Sequence, residues 1–138
     1  MKTDFEKAKD LLCDKGYTCV LCKDDIVYTA YDRGVKPLLK WLDDGVDLKD
    51  FSAADKVVGK AAALLYVLLG VSCVYAPVMS IGAQEVFDEH KTAFICDKTV
   101  DAIINRQGDG FCPMETAVKD ISSPETAISV IKEKLKTL

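Results

Sequence analysis

The spacing of hydrophobic residues near the start of the chain predicts a helix. Thr3 and Glu6 stand three positions apart, which is the arrangement of a capping box. The apolar residues that follow recur every three or four positions up to Gly16: Phe5, Ala8, Leu11 and Leu12. The sequence therefore predicts a first helix over about residues 3–15.

Four short apolar runs predict strands. The runs YTCVLCK and IVYTAY are rich in β-branched and aromatic residues, and Asp24 and Asp25 separate them, which is the pattern of an antiparallel hairpin. Further along, VSCVYAPV and TAFIC have the composition of buried strands.

Residues that begin or end helices predict the next two helices. Pro37 opens a short helix, and Gly45 ends it. Ser52 and Asp55 form a second capping box, which predicts a long central helix running to about Leu69.

The second half of the chain continues the alternation of helices and strands. Ser80 caps a helix before TAFIC, DKTVDAIINR has the pattern of a short helix, and Ser123 with Pro124 opens a final amphipathic helix. No repeat or linker divides the 138 residues. We therefore expect one α/β domain over residues 1–138, with three α/β/α layers, a mixed central sheet and helices on both faces.

Residues 61–84 carry no charge and are long enough to span a bilayer. Gly70 interrupts this stretch, and the composition then changes from Ala and Leu to Val, Cys and Tyr. This change favours a buried helix followed by a buried strand, so we expect no membrane partner.

Charge and cysteine content narrow the class of protein. The net charge of −4, with both signs interspersed, argues against a nucleic-acid partner. Most of the six cysteines stand in apolar runs, and the start MKTDFEKAKD lacks the apolar segment of a secretory signal. We therefore expect free thiols and a cytoplasmic protein. The sequence leaves open whether the protein forms a homo-oligomer.

The start of the predicted central helix is the first candidate site. Lys56 and Lys60 would share one helical face near the positive end of the helix dipole, where two cations are unfavourable without an anion nearby. Asp55 offsets part of this charge, and a small anionic ligand would offset the rest. Arg33 could join the two lysines or pair with Asp32. The alternative is that the lysines are solvated or paired with neighbouring carboxylates.

The segment NRQGDGFCPMET, residues 105–116, is the second candidate site. Pro113 suits the first position of a helix and Glu115 the position of a capping glutamate, which makes Cys112 the N-cap residue. A helix N-terminus favours a thiolate, so Cys112 is the candidate nucleophile. Asn105 and Arg106 are candidate ligand-binding residues in the preceding turn.

Proton transfer in such a site would need a nearby acid or base. Glu115 and Asp55 are the candidates, because the chain offers no histidine close to Cys112. The alternative is that Cys112 fills a gap in the core and that Arg106 forms a salt bridge.

The order of the predicted elements resembles the cytidine-deaminase-like fold. The segments DRGVKPLL, ADKVVGKAAA and NRQGDGFCPME are similar to a small family of uncharacterised bacterial and archaeal proteins assigned to that superfamily. The resemblance covers nearly the whole chain. It implies the fold, and it brings no established activity with it.

The metal-binding residues of the zinc deaminases are missing. Those enzymes carry a His or Cys beside an acidic residue at the start of the central helix, and a Pro-Cys-x-x-Cys at the start of the next helix. The matching stretches here are SAADKVVGK and APVMSIG, where Pro77 stands without cysteines. His90, which we expect at the surface, is far along the chain, and Cys19 and Cys22 would point to opposite faces of a strand. We therefore predict no metal site and no cofactor.

Three classes of function stay open. The first is a metal-independent enzyme that uses Cys112, the second a binding module for a phosphorylated or nucleotide-like ligand, and the third a non-catalytic scaffold or regulatory module with a degenerate deaminase-like fold. The two charged helix starts favour a small-molecule site over a scaffold.

Overall fold

A computed structural model describes residues 3–32, 34–103 and 112–136. The described elements follow one another in the order α1 (Asp4–Lys15), β1 (Cys19–Lys23), β2 (Ile26–Ala30), α2 (Lys36–Asp43), β3 (Ser52–Asp55), β4 (Val57–Val58), α3 (Lys60–Leu69), β5 (Cys73–Ser80), α4 (Ile81–Glu89), β6 (Ala93–Val100), α5 (Pro113–Ala117) and α6 (Pro124–Leu135).

The strands form one mixed sheet with β5 at its centre. Strand β1 pairs antiparallel with both β2 and β3, whereas β3, β4 and β6 all run parallel to β5. Strand β6 follows β5 along its whole length. Strands β3 and β4 therefore share the other edge of β5, with β3 beside Cys73–Tyr75 and β4 beside Val78–Met79.

Helices cover both faces of this sheet. Helix α1 packs on one face against a small buried cluster: Ala8, Leu12, Val20, Cys22, Ala54 and Tyr75. The larger core lies on the opposite face and includes side chains from α2, α3, α4, α5 and α6. The prediction of a mixed sheet between two helical layers is confirmed.

Local signals located several elements correctly. The Thr3 hydroxyl accepts a hydrogen bond from the Glu6 amide, and the helix ends at Gly16, whose φ is 73°. The hairpin pairs Lys23 with Ile26 across the two aspartates. Ser80 caps α4 by accepting a hydrogen bond from the Ala83 amide at 3.1 Å.

The predicted start of the central helix is wrong. Ser52–Asp55 is a buried strand, and α3 begins only at Lys60. The pattern of a capping box is a local signal, but here β1 and β5 supply hydrogen-bond partners on both sides of the segment. Lys56 consequently lies between two strands, and it shares no helical face with Lys60.

The predicted short helix over DKTVDAIINR is also wrong where it is described. Residues 97–100 continue β6, because Val78–Ser80 of β5 extend the parallel ladder to Lys98–Val100. The last residues of that prediction, 104–106, lie outside the described residues.

The charge-free stretch divides into a helix and a strand, as predicted. Helix α3 ends at Gly70, which has a φ of 78°, and β5 begins three residues later at Cys73. Among the residues that the structure describes, no helix combines the length and the apolar composition needed to cross a membrane.

Helix α3 begins in an unusual way, because its N-cap residue is Gly59, which has no side chain to offer. The carboxylate of Glu115, in α5, takes that role. Its Oε1 accepts a hydrogen bond from the Lys60 amide at 2.6 Å, and its Oε2 accepts one from the Ala61 amide at 2.9 Å. Two of the free amides of the first helical turn are thus satisfied from another helix.

Gly59 leaves room for this contact. Its φ of −101° is open to any residue, so conformation does not require glycine here. A Cβ at this position would lie 2.8 Å from Cγ1 of Ile103 and closer still to the carboxylate oxygen of Glu115. The glycine is therefore needed for space.

The burial of α3 leads to a first prediction. Leu65 is fully buried, so Leu65→Asp places an unpaired charge in the core at a cost of several kcal/mol, against a total stability of about 5–15 kcal/mol. We expect the variant to unfold or aggregate, as measured by circular dichroism and size-exclusion chromatography. Ile95→Asp, at a side chain that is 54% exposed, is the matched control and should stay folded. A soluble Leu65→Asp variant with an unchanged melting temperature would contradict the burial of α3.

The contact between Gly59 and Glu115 leads to a second prediction. Glu115→Ala should lower the free energy of unfolding by about 0.5–2 kcal/mol, which is the usual cost of losing a helix cap. Gly59→Ala should also destabilise the protein, but less in the Glu115→Ala background, because the clashing carboxylate is then absent. A double-mutant cycle by urea unfolding measures this coupling.

Gly82→Ala is the control for this cycle. A Cβ at Gly82 would meet its nearest atom at an ordinary 3.5 Å, and alanine is the better helix former. We expect this variant to be neutral or more stable. Additive effects of Gly59→Ala and Glu115→Ala would argue against the contact.

Candidate functional site

A cavity of about 480 Å³ lies where β3, the first turn of α3 and the start of α5 meet. Its walls are mainly apolar. The lining residues are Thr18, Gly34, Val35, Asp55, Lys56, Val57, Gly59, Ala61, Ala62, Ile103, Cys112, Met114 and Glu115. The size is within the range of small-molecule sites in proteins.

Four of the predicted site residues line this cavity: Asp55, Lys56, Cys112 and Glu115. Lys60 is not among the lining residues, and its ammonium group donates a hydrogen bond to the Lys119 carbonyl at 2.8 Å. The remaining candidates, Arg33, Asn105 and Arg106, lie outside the described residues.

Asp55 is a buried carboxyl group in the cavity wall, and its pKa departs from the ordinary value. Its side chain is only 8% exposed, and its Oδ2 accepts a hydrogen bond from the Tyr66 hydroxyl at 2.7 Å. The backbone amides of Val57 and Lys56 also favour the charged form of the carboxyl group, although the Lys56 amide donates its hydrogen bond to the Thr18 carbonyl at 3.2 Å. Burial outweighs these three donors and raises the pKa of Asp55 to about 7.

A chain of hydrogen bonds runs from Asp55 into the core. The Sγ atom of Cys19 lies 3.0 Å from the Tyr66 hydroxyl oxygen, and both residues are buried. Burial raises the pKa of the Cys19 thiol and that of the Tyr66 phenol, so both keep their protons. When Tyr66 donates to ionised Asp55, its oxygen accepts from the Cys19 thiol, since a phenol has a single proton.

Tyr66 was not predicted as part of a site. The sequence nevertheless contains a signal, because Tyr66 stands in the helix KAAALLYVLL, which is otherwise aliphatic after Lys60. A tyrosine hydroxyl in a buried helix needs a hydrogen-bond partner. The identity of that partner depends on the position of β3, where the sequence predicted a helix.

Glu115 has a different role from the predicted one. A capping glutamate would accept from the backbone of its own N-cap residue, but the Cys112 amide donates to the Ile103 carbonyl at 3.0 Å. Both oxygens of Glu115 instead accept from the amides of α3. The amides of Lys60 and Ala61, which begin the observed helix, are thus bonded to an internal carboxylate. The external anion was predicted at a helix start near Asp55, where the structure has a strand instead.

Cys112 is the N-cap residue of α5, as predicted, but its side chain forms no capping hydrogen bond. The thiol is half-buried and borders the cavity. Helix α5 has only five residues, so its dipole is weaker than that of a long helix. Access to the cavity, more than the helix, makes Cys112 a candidate for chemistry.

The possible metal ligands are scattered. Cys19 and Cys22 belong to buried clusters on opposite faces of the sheet, as their spacing predicts. His90 is half-buried rather than at the surface, and its Nε2 has no hydrogen-bond partner among the described residues. Within residues 3–32, 34–103 and 112–136 no group of three or more metal-binding side chains is present.

The raised pKa of Asp55 predicts a pH effect on stability. Between its ordinary pKa of 3.8 and about 7, folded Asp55 holds a proton that the unfolded chain has lost. Its contribution to stability is therefore greatest below about pH 4 and is lost as the pH rises to about 7. Asp55→Asn resembles the protonated form at every pH. Its stability relative to the wild type should rise between pH 5 and pH 8, by at most about 1.4 kcal/mol per pH unit.

Urea unfolding at several pH values measures this trend. Asp97→Asn is the matched control, because Asp97 also accepts a hydrogen bond from a tyrosine, Tyr75, at 2.6 Å, but is exposed. It should not reproduce the trend. A relative stability of Asp55→Asn that falls as the pH rises would show that the charged form of Asp55 is favoured in the folded protein.

Known proteins resemble this chain in sequence and in fold. A family described as "Domain of unknown function (DUF1893)" matches residues 7–135. The crystal structure of a DUF1893 family protein from Thermotoga maritima is similar, with a TM-score of 0.85 and 22% sequence identity over 100% of this chain and 92% of that chain. At that identity the likeness shows a shared fold. No curated protein matches the chain. Because the family match spans nearly its whole length, the chain belongs to the DUF1893 family.

Proposed function

We propose that the cavity between α3 and α5 binds a small organic molecule and is the functional site of this protein. The observation that carries the proposal is a buried carboxyl, Asp55, in the wall of a mainly apolar cavity of about 480 Å³. Cavities of this size with few polar groups are typical of ligand sites, and a polar group with a perturbed pKa marks them further.

The lining favours a ligand with an apolar ring and polar groups at its ends. Val35, Ala62 and Met114 offer apolar contacts to the ring, and Asp55 offers a polar one. Lys56 is exposed and borders the cavity, so a phosphate or carboxylate of the ligand would meet this lysine at the rim. A phosphorylated or nucleotide-like ligand therefore stays our proposal, with Arg33, Asn105 and Arg106 as further candidate contacts.

Catalysis in this cavity would not need a metal. Cys112 is the proposed nucleophile and Asp55 the proposed proton-transfer group, because a pKa near 7 suits both the gain and the loss of a proton. Glu115 is the weaker candidate, since two backbone amides already use its oxygens. The relationship to the cytidine-deaminase-like superfamily also stays a proposal. The alternative is a non-catalytic scaffold with a degenerate site.

A cavity-filling variant tests this proposal. Neutral aromatic fragments such as phenol and indole should bind to the wild-type protein in ligand-observed NMR. Ala62→Leu adds three carbon atoms at a residue that lines the cavity, and we expect it to weaken fragment binding at least tenfold. Circular dichroism checks that the variant stays folded. The same substitution at Ala93, which is exposed on β6, is the control and should leave binding unchanged.

Fragment binding that Ala62→Leu leaves intact would locate the ligand elsewhere. If no fragment binds to the wild-type protein, the scaffold alternative is favoured instead.

A further inference from the structure

The carboxyl group of Asp55 has unused capacity to accept hydrogen bonds. A carboxylate offers about four acceptor positions. The Tyr66 hydroxyl donates to one of them, and the amides of Lys56 and Val57 supply at most two more donors, since the Lys56 amide also donates to the Thr18 carbonyl. Within the described part of the chain, at least one acceptor position is therefore open, on a residue that lines the cavity.

Among the described residues, the charge of Asp55 also lacks a cationic partner. In the described part of the chain, no lysine, arginine or histidine forms an ion pair with it. Lys56 is the nearest cation in sequence, but its side chain is exposed to solvent. An ionised carboxyl that is about nine-tenths buried is costly unless a cation or further donors reach it.

Of the groups that the structure describes around Asp55, none is a cation that would bind an anion at this end of the cavity. Tyr66 faces it from α3, with Cys19 of β1 behind, and both are neutral. Glu115 and Cys112 line the same cavity from the α5 side, and Glu115 adds a second carboxyl. A negative group deep in this cavity would meet two acidic side chains, whereas a positive one would be attracted by both.

We infer that the inner end of the ligand carries a cationic N–H donor group, such as an amine, amidine or guanidine, and that this group pairs with the carboxylate of Asp55. The inference rests on the proposed function and adds the chemical class that the site selects. It is compatible with an anionic group at the outer end of the ligand, beside Lys56.

Benzamidine is a suitable probe for this class. Its amidinium group is planar and can donate two parallel N–H bonds to a carboxylate, and its phenyl ring suits the apolar wall. Benzamide has almost the same shape but no charge, and benzoate has the opposite charge. The three compounds therefore separate the effect of charge from that of shape.

Binding of the amidinium is linked to the ionisation of Asp55. The amidinium keeps its own proton, so protonated Asp55 must release its proton to the solvent before the ion pair forms. Because the pKa of Asp55 is about 7, the competent fraction rises about tenfold between pH 6 and pH 8. The dissociation constant of benzamidine should fall by about the same factor.

The experiment measures the Kd of each compound for the full chain at pH 6 and pH 8 by titration in NMR. We expect benzamidine to bind most tightly at pH 8, and benzamide to bind more weakly with no pH dependence. Asp55→Asn should weaken benzamidine binding at least tenfold at pH 8 and abolish its pH dependence. Asp97→Asn, an exposed aspartate outside the cavity, should change neither property.

Tyr66→Phe provides a second test if Asp55→Asn fails to fold. This variant keeps the carboxyl but removes a donor that favours its charged form, which raises the pKa of Asp55 further. The pH midpoint of benzamidine binding should therefore move upward.

The outcomes separate this inference from the proposed function. Equal, pH-independent binding of benzamidine and benzamide that Ala62→Leu weakens would overturn the inference and leave the proposed function standing. Tighter binding of benzoate would overturn the inference in favour of an anion site. If none of the three compounds and none of the neutral fragments binds, both proposals fail.

Discussion

The carboxylate of Glu115 joins two parts of the chain that are more than fifty residues apart, and the geometry of the cavity depends on this contact. Helix α3 begins after a glycine, so its first amides would otherwise need water or a ligand as acceptors. A negative group is favourable at this end of a helix, both for the amides and for the helix dipole. The same side chain fixes α5 beside α3, and these two helices supply much of the cavity wall.

Sequence patterns located those elements whose signals are local. The caps at Thr3 and Ser80 and the hairpin between β1 and β2 each depend on residues within a few positions of one another, and they were predicted correctly. Strand β3 was not predicted, because its stability comes from pairing with two distant strands. Ser52 and Asp55 have the spacing of a capping box, which is typical of a helix start. Local propensity is a weak guide where strand pairing can override it.

In the candidate site, too, local signals predicted some features, and contacts between distant parts of the chain decided the others. Asp55, Cys112 and Glu115 were chosen because they stand near expected helix starts, and the structure brings them to one cavity. Their individual roles depend on contacts across the chain, which spacing cannot reveal: Glu115 bonds to α3, and Asp55 to Tyr66. Lys60 was chosen for a helical face that it does not share with Lys56, so its predicted role lacks the geometric basis on which it was proposed.

The two described carboxyl groups of the cavity wall are held in different ways, and this difference supports the proposal that Asp55 belongs to the functional site. Both oxygens of Glu115 accept hydrogen bonds from backbone amides, so this side chain has the structural role of capping α3. Asp55 accepts a hydrogen bond from Tyr66 and has two backbone amides nearby, yet burial still disfavours its charge. A neutral asparagine could accept the Tyr66 hydrogen bond with a smaller desolvation penalty. What the aspartate adds is a charge that can change near neutral pH, at the wall of a cavity that a ligand can enter.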